Sequence, residues 1–204
     1  MSDTTNDNAT QGKASYVDSE RAELHALLLE RAFRFGDFTL SSGRKSTFYF
    51  NGKQVTLDGR GLQLVASLVL HRCREVGAEI IGGLTLGADP IAAAVIALSA
   101  ERGDGPSMRA FIVRKEAKVH GTEERLEGPP LHRGDRVVLI DDTTTTGGSY
   151  LAAADALEGT GAEIIEAIVV VDREEGAREA LAARNISLHA LFTRSEFLAP
   201  TKSA

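Results

Sequence analysis

The sequence contains one cysteine, no apolar run approaching the roughly 20 residues that a membrane-spanning helix needs, and fewer basic residues than acidic ones. Each shortage excludes something. The single thiol, Cys73, has no internal partner for a disulfide. Its segment LVLHRCREVG reads as a helix without an activating base beside it, so Cys73 is expected to pack as a small hydrophobe and not to act as a nucleophile. The net charge of −6, from 23 Lys+Arg against 29 Asp+Glu, speaks against a nucleic-acid partner, because such binding rests on many phosphate contacts. It leaves room for a local basic site that takes a small polyanion. The first eighteen residues are rich in Thr, Asn, Asp, Gln and Ser and lack the apolar segment of a secretory signal. A soluble, cytoplasmic protein without a membrane partner is expected. Two familiar nucleotide loops are also missing, the Walker G-x-x-x-x-G-K-[ST] and the dinucleotide-binding G-x-G-x-x-G.

What remains is a globular composition, 43% apolar and 25% charged over 204 residues, enough for one domain with a sizeable core. Residues 1–18 are too polar to bury and read as a disordered tail. Leu24, Leu27, Leu28 and Ala32 have helical spacing, which predicts a helix from Ser19 to Phe35 that Gly36 ends. Residues 37–51 hold two β-prone runs around Ser41–Arg44, a hairpin. A helix follows from Asp58 to Glu75, and thereafter strands and helices alternate. The strands are Glu79–Gly82, Arg109–Lys115, Arg136–Ile140, Glu163–Val171 and Ile186–Phe192. The helices run from Pro90 to Arg102, Ser149 to Glu158 and Glu174 to Arg184, and Glu116–Asp135 is irregular. This pattern predicts an α/β fold with a mainly parallel sheet of about five strands flanked by helices. Residues 19–57 would form a small N-terminal hood, and 58–204 the α/β core of the same domain.

The most informative segment is VVLIDDTTTTGGS, Val137 to Ser149. An apolar strand ends in two acids, four threonines and two glycines follow, and an Ala/Leu-rich helix begins. The threonines are poor helix formers and favour a loop. Gly147 and Gly148 allow close backbone approach. The loop opens a helix, whose free N–H groups and dipole favour an anion. Asp141 and Asp142 cannot hold a phosphate directly, but they can accept hydrogen bonds from sugar hydroxyls or hold Mg²⁺. Phosphate and sugar hydroxyls read on one turn mean a ribose 5-phosphate. The competing reading is a plain strand–loop–helix connection in which the threonines only cap.

This segment resembles the PRPP motif of the type I phosphoribosyltransferases. Three further segments resemble the orotate-using branch of that family. FTLSSGRKSTFYFN is similar to its N-terminal hood, Arg114-Lys115-x-x-Lys118-x-His120 to its catalytic loop, and Asp172–Arg173 to its D-R pair. They stand in the family's order between residues 38 and 173. The resemblance implies transfer of ribose 5-phosphate from PRPP to orotate, with pyrophosphate as the second product, in pyrimidine biosynthesis. Asp141 and Asp142 would hold the ribose hydroxyls, and Thr143, Thr144, Thr145, Thr146, Gly147, Gly148 and Ser149 the 5-phosphate. Lys118 and His120 would serve the departing pyrophosphate, with Arg114 and Lys115 as PRPP contacts. Arg173 and Thr145 would bind orotate, and Tyr49 and Phe50 would offer backbone donors and a ring wall, although simple packing of the hairpin explains those two side chains equally well. The resemblance further implies Mg²⁺ bound mainly through PRPP and pyrophosphate, no metal site of the protein's own, and a homodimer whose mobile loop reaches the neighbouring subunit's site.

The sequence departs from the family pattern in places. Ser41 stands where many members have a hood lysine, with Lys45 and Lys53 nearby, and Leu86–Gly87 replace a Tyr-Lys pair. Two other readings share the PRPP loop: a purine phosphoribosyltransferase, and a PRPP-sensing regulator that has lost catalysis. The hood and Asp172–Arg173 count against the first, and the acidic balance and intact basic loop against the second.

Overall fold

The computed structural model describes residues 5–39, 45–116 and 125–198. Helix α1 spans Thr5–Leu27 and continues into one π-helical turn, Leu28–Ala32. Leu24, Leu28 and Ala32 are buried, as their spacing predicts. Both ends depart from the sequence expectation. Residues 5–18 of the expected disordered tail are helical, because extending a helix already nucleated by docking costs little per residue. At the other end the helical path stops at Ala32, not Phe35. Phe33 and Phe35 instead pair with Phe50 and Phe48 across an antiparallel ladder. That ladder, β1 (Phe33–Thr39) with β2 (Lys45–Phe50), is the hood hairpin; its turn, with Ser41, lies outside the described residues.

The short helix α2 (Lys53–Thr56) leads into α3 (Gly59–Val76). Asp58 caps α3 by accepting from Gly61 N at 3.0 Å, and Gly77, at φ 65°, ends it. Cys73 is fully buried on α3, and burial pushes its thiol up to about 12, which leaves it an inert packing residue. The core then runs β3 (Ile80–Leu84), α4 (Ala88–Arg102), β4 (Arg109–Val113), β5 (Leu126–Glu127), β6 (Arg136–Thr144), α5 (Gly148–Leu157), β7 (Glu163–Asp172), α6 (Ala177–Ala182), β8 (Leu188–Thr193) and α7 (Arg194–Leu198).

These strands form one sheet in the order β5-β4-β3-β6-β7-β8. Five are mutually parallel, and β5 adds a short antiparallel edge on β4 within the stretch expected to be irregular. Successive residues of the central strands point to opposite faces. Val137, Leu139, Ala167 and Val169 meet Tyr150, Ala153 and Leu157 of α5. Val138, Ile140, Ile168 and Val170 join the core that holds α1, α3, α4 and the hood. Burial on both faces explains why these strands read as unbroken apolar runs. Tyr150 fixes α5 to the sheet by donating from its buried hydroxyl to the Ile168 carbonyl at 2.5 Å.

The ends of β6 and β7 matter for function. β6 does not stop at Ile140: Asp141, Thr143 and Thr144 pair with Val169, Val171 and Asp172. The chain leaves β3 toward β4 on one side, while β6 leads toward β7 on the other. The crevice at the carboxyl ends of β3 and β6 is therefore the switch point where open α/β sheets bind ligands.

The approach of β3 to its neighbours depends on two glycines. A Cβ on Gly82 would overlap the Phe111 carbonyl, and one on Gly83 would overlap the Ile140 carbonyl and lie 2.9 Å from Ala88 Cβ. Gly83→Ala is expected to destabilise the protein by at least about 2 kcal/mol through overpacking, seen as a lower urea midpoint at unchanged slope. A midpoint equal to the parent's would show that the strands part without cost.

Candidate active site

Asp141 and Asp142 lie at the floor of this crevice, 7% and 3% exposed. The backbone N–H of Asp142 donates to Asp141 Oδ1 at 2.9 Å, and the Ser149 hydroxyl also hydrogen-bonds Asp141. Burial, reinforced by the neighbouring Asp142 charge, pushes the Asp141 carboxyl up to about 7. Its charged form is thus disfavoured in the folded protein.

Two glycines and a lysine enclose the pair. A Cβ on Gly87 would overlap Asp141 Oδ1 and fall 2.8 Å from Asp142 Oδ1. Gly87 follows β3 in a loop with a cis peptide between Thr85 and Leu86, where Thr85 Oγ1 donates to Asp89 Oδ2 at 2.6 Å. On the other side comes the hood. A Cβ on Gly52 would lie 3.0 Å from Asp142 Oδ2, and Lys53 Nζ donates to that same oxygen at 2.9 Å. Of the two lysines near the missing hood lysine, Lys53 reaches the acids, while Lys45 is exposed on β2. Leu86 points to solvent, so this loop presents main chain and no cation.

The threonine run divides in two. Thr143 and Thr144 belong to β6, where Thr143 Oγ1 donates to Val171 O at 3.2 Å and Thr144 is buried. The expectation that all four threonines form a loop is corrected, because ladder pairing with Val171 and Asp172 extends the strand. Thr145 and Thr146 make the turn, Gly147 takes φ 81°, and Gly148 and Ser149 open α5. The first N–H groups of that helix lack intrahelical acceptors and form an anion cradle.

β7 ends beside this turn, with Arg173 N donating to Thr144 O at 3.0 Å. The Arg173 guanidinium lies 5.7 Å from the centre of the Phe48 ring of the hood and pairs with Glu175 through Nη2 and Oε1 at 2.9 Å. Its Nε is buried without a hydrogen-bond partner. Phe50 packs inward against Phe33, with ring centres 4.8 Å apart, which corrects its expected place as a ring wall; only its main chain is left for a ligand. Tyr49 is exposed beside Phe38.

At the end of β4, Arg114 N donates to Arg125 O at 2.8 Å and Arg114 Nη1 to Glu127 Oε1 at 3.0 Å. These bonds close the root of the basic loop. Lys115 is exposed at its start, and Lys118 and His120 lie outside the described residues. The structure thus brings together the acids, the threonine-glycine turn, Arg173 and the hood. Reading the sequence alone missed Gly52, Phe48 and Glu175, and it marked Gly87 only as a departure from the family pattern. The Asn51–Gly52 dipeptide is a turn signal, and Asn51 Oδ1 does accept from Lys53 N at 3.2 Å, but that signal says nothing of the acids 90 residues on.

Comparison with known proteins agrees with this geometry. The phosphoribosyl transferase domain family matches residues 69–189. The orotate phosphoribosyltransferase of Thermosynechococcus vestitus is 48% identical over 86% of this chain and 92% of its own. The Mycobacterium tuberculosis H37Rv orotate phosphoribosyltransferase, solved with Fe(III) dicitrate, superposes with a TM-score of 0.76 at 36% identity, covering 87% of this chain and 98% of that one. The same enzyme solved with PRPP gives 0.72 at 33% identity over 87% and 98%. The chain is a phosphoribosyltransferase and belongs to the orotate phosphoribosyltransferase family.

Proposed function

We propose that this enzyme transfers the 5-phosphoribosyl group of PRPP to orotate, giving orotidine 5′-monophosphate and pyrophosphate. The observation that carries this reading is the convergence, at one end of the sheet, of an anion cradle, a buried carboxylate pair and an arginine roofed by the hood. The cradle from Thr145 to Ser149 takes the 5-phosphate. Asp141 and Asp142 accept hydrogen bonds from the ribose hydroxyls. Arg173, a planar fork of donors, suits the carboxylate of orotate. Gly87 lets main-chain N–H groups near the diphosphate approach without a side chain between.

In the reaction the anomeric carbon exchanges its bond to a diphosphate oxygen for one to the orotate ring nitrogen. Negative charge builds on the leaving diphosphate, and the basic loop answers it. Arg114 and Lys115 contact PRPP, while Lys118 and His120 close over the departing group. The described residues hold no group of three or more His, Cys, Asp or Glu able to ligate a metal. The paired acids Asp141 and Asp142 fit a Mg²⁺ carried mainly by substrate oxygens. Such an ion would neutralise diphosphate charge. We further infer a cytoplasmic homodimer in which the loop of one subunit serves the site of the other, and a single domain from residue 19 to 204. Among the described residues no helix is long and apolar enough to cross a membrane.

A base-panel assay with PRPP and Mg²⁺ tests the reading. Orotate is expected to turn over, and adenine, hypoxanthine and xanthine are not; failure with orotate alone would end the assignment. Lys118→Ala is expected to lower kcat by about 10²-fold or more with melting unchanged, and a near-parental rate would remove Lys118 from the chemistry.

The carboxylate pair adds a test by stability. Because the folded-state pKa of Asp141 is raised, the native state holds a proton that the unfolded chain releases between the ordinary value of 3.8 and about 7. Stability therefore falls as pH rises through that window, and the penalty is complete above it. Asp141→Asn keeps the acceptor for Asp142 N and removes the charge. At pH 8 it is expected to melt roughly 3–6 °C higher while losing activity, and the gain should vanish by pH 4. A gain independent of pH would refute the electrostatic account.

A further inference from the structure

In the free protein the Arg173 side chain is largely withdrawn from solvent. It is 18% exposed and paired with Glu175, itself 19% exposed. The guanidinium sits over the Phe48 ring, and Phe48 is buried in the hood. Nε is out of contact with water and lacks an acceptor. This is an incompletely satisfied arrangement, since a buried donor without a partner is costly. Glu175 engages one of the two hydrogens of Nη2, and so stands at one of the edges through which a guanidinium can grip a carboxylate bidentately. A ligand carboxylate that uses this edge must displace Glu175 from it.

The local backbone shows how Glu175 comes to be there. Glu174 takes φ 56° and Gly176 φ 104°. Glu174 N donates to Asp172 Oδ1 at 2.8 Å, and the Glu174 carboxylate is engaged with Ser195 N at 2.9 Å. The turn is thus tied down on both sides of Arg173, with Glu174 directed toward α7 and Glu175 toward the arginine.

We propose that Glu175 gates the base site: its carboxylate stows Arg173 in the free enzyme, and a base releases it by offering a carboxylate of its own. This rests on the reading that Arg173 receives orotate. A base without a carboxylate offers Arg173 nothing better than Glu175, so the arginine stays stowed. Orotate replaces one carboxylate by another and also supplies the acceptor that Nε lacks. The apparent affinity for orotate is lowered by the fraction of enzyme held in the stowed state, and the buried guanidinium keeps a charged partner while the base is absent.

The test compares steady-state kinetics of the unsubstituted enzyme with Glu175→Gln and Glu175→Ala, using orotate and uracil as bases. Gln retains the shape and weakens the pairing, while Ala removes it; melting temperatures confirm that each variant folds. The KM for orotate is expected to fall about three- to tenfold in both, with the change absent from the KM for PRPP and from uracil. An unchanged or higher orotate KM in a folded variant overturns the gate and makes Glu175 a support for Arg173. An equal gain for uracil overturns it too, since Glu175 would then merely fill space. If the unsubstituted enzyme binds PRPP but does not use orotate, the functional reading above fails and takes the gate with it, an outcome distinct from the other two.

Discussion

Where β6 ends, Asp141 and Asp142 lose most of their hydration side by side, and two like charges in a low dielectric repel strongly. The surrounding structure is arranged around that repulsion. Lys53 supplies one cation at 2.9 Å, and Ser149 and the Asp142 N–H supply hydrogen bonds. Gly52 and Gly87 leave the carboxylates the space that a side chain would take. Apart from the Asp142 N–H, these groups come from three separate parts of the chain: the hood, the loop after β3 and the start of α5. Holding the pair buried therefore requires the crevice to be assembled, and the assembled crevice is the site. The acids cost stability and position the substrate for the same reason, since they are dry and close together.

Much of this could be read from sequence because local rules and the global fold agree along β6. Unbroken apolar residues from Val137 to Ile140 signal a strand covered on both faces, and the acids, threonines and glycines after it signal a loop opening a helix. The boundary was misplaced by four residues, since propensity says nothing about the partner strand. Thr143 and Thr144 stay extended because Val171 and Asp172 run alongside. β5 was missed for a similar reason: two residues have no period, and only the edge of β4 makes them a strand. At the N-terminus the polarity of residues 5–18 argued for disorder, although a helix needs little apolar surface once its next two turns are docked.

Contacts between segments remote in sequence were invisible. Lys53 and Asp142 are 89 residues apart, and Phe48 and Arg173 are 125 apart by number; no motif links either pair. Both join the hood to the ends of β6 and β7. The resemblance marked the hood and the D-R pair separately, but it could not say that Phe48 goes under the arginine or that Phe50 goes into the core. Alternation in the hairpin was also ambiguous, because Phe48, Tyr49 and Phe50 are all aromatic and any of the three could face inward. The packing of Phe33, Phe48 and Phe50 against one another decides it.

These two hood contacts bear differently on substrate binding. The Lys53–Asp142 pair uses one carboxylate oxygen, Oδ2, and a carboxylate accepts several hydrogen bonds at once, so a sugar hydroxyl can bind while the lysine stays in place. The Arg173–Glu175 pair already sets one carboxylate against the guanidinium. On the proposed reading, the sugar-phosphate half of the site is organised before substrate arrives, and the base half rearranges. That division matches the chemistry of the two halves. PRPP is a polyanion whose sugar and phosphate require fixed donors, whereas the base brings a single carboxylate, and an internal carboxylate keeps the buried arginine paired until that ligand arrives.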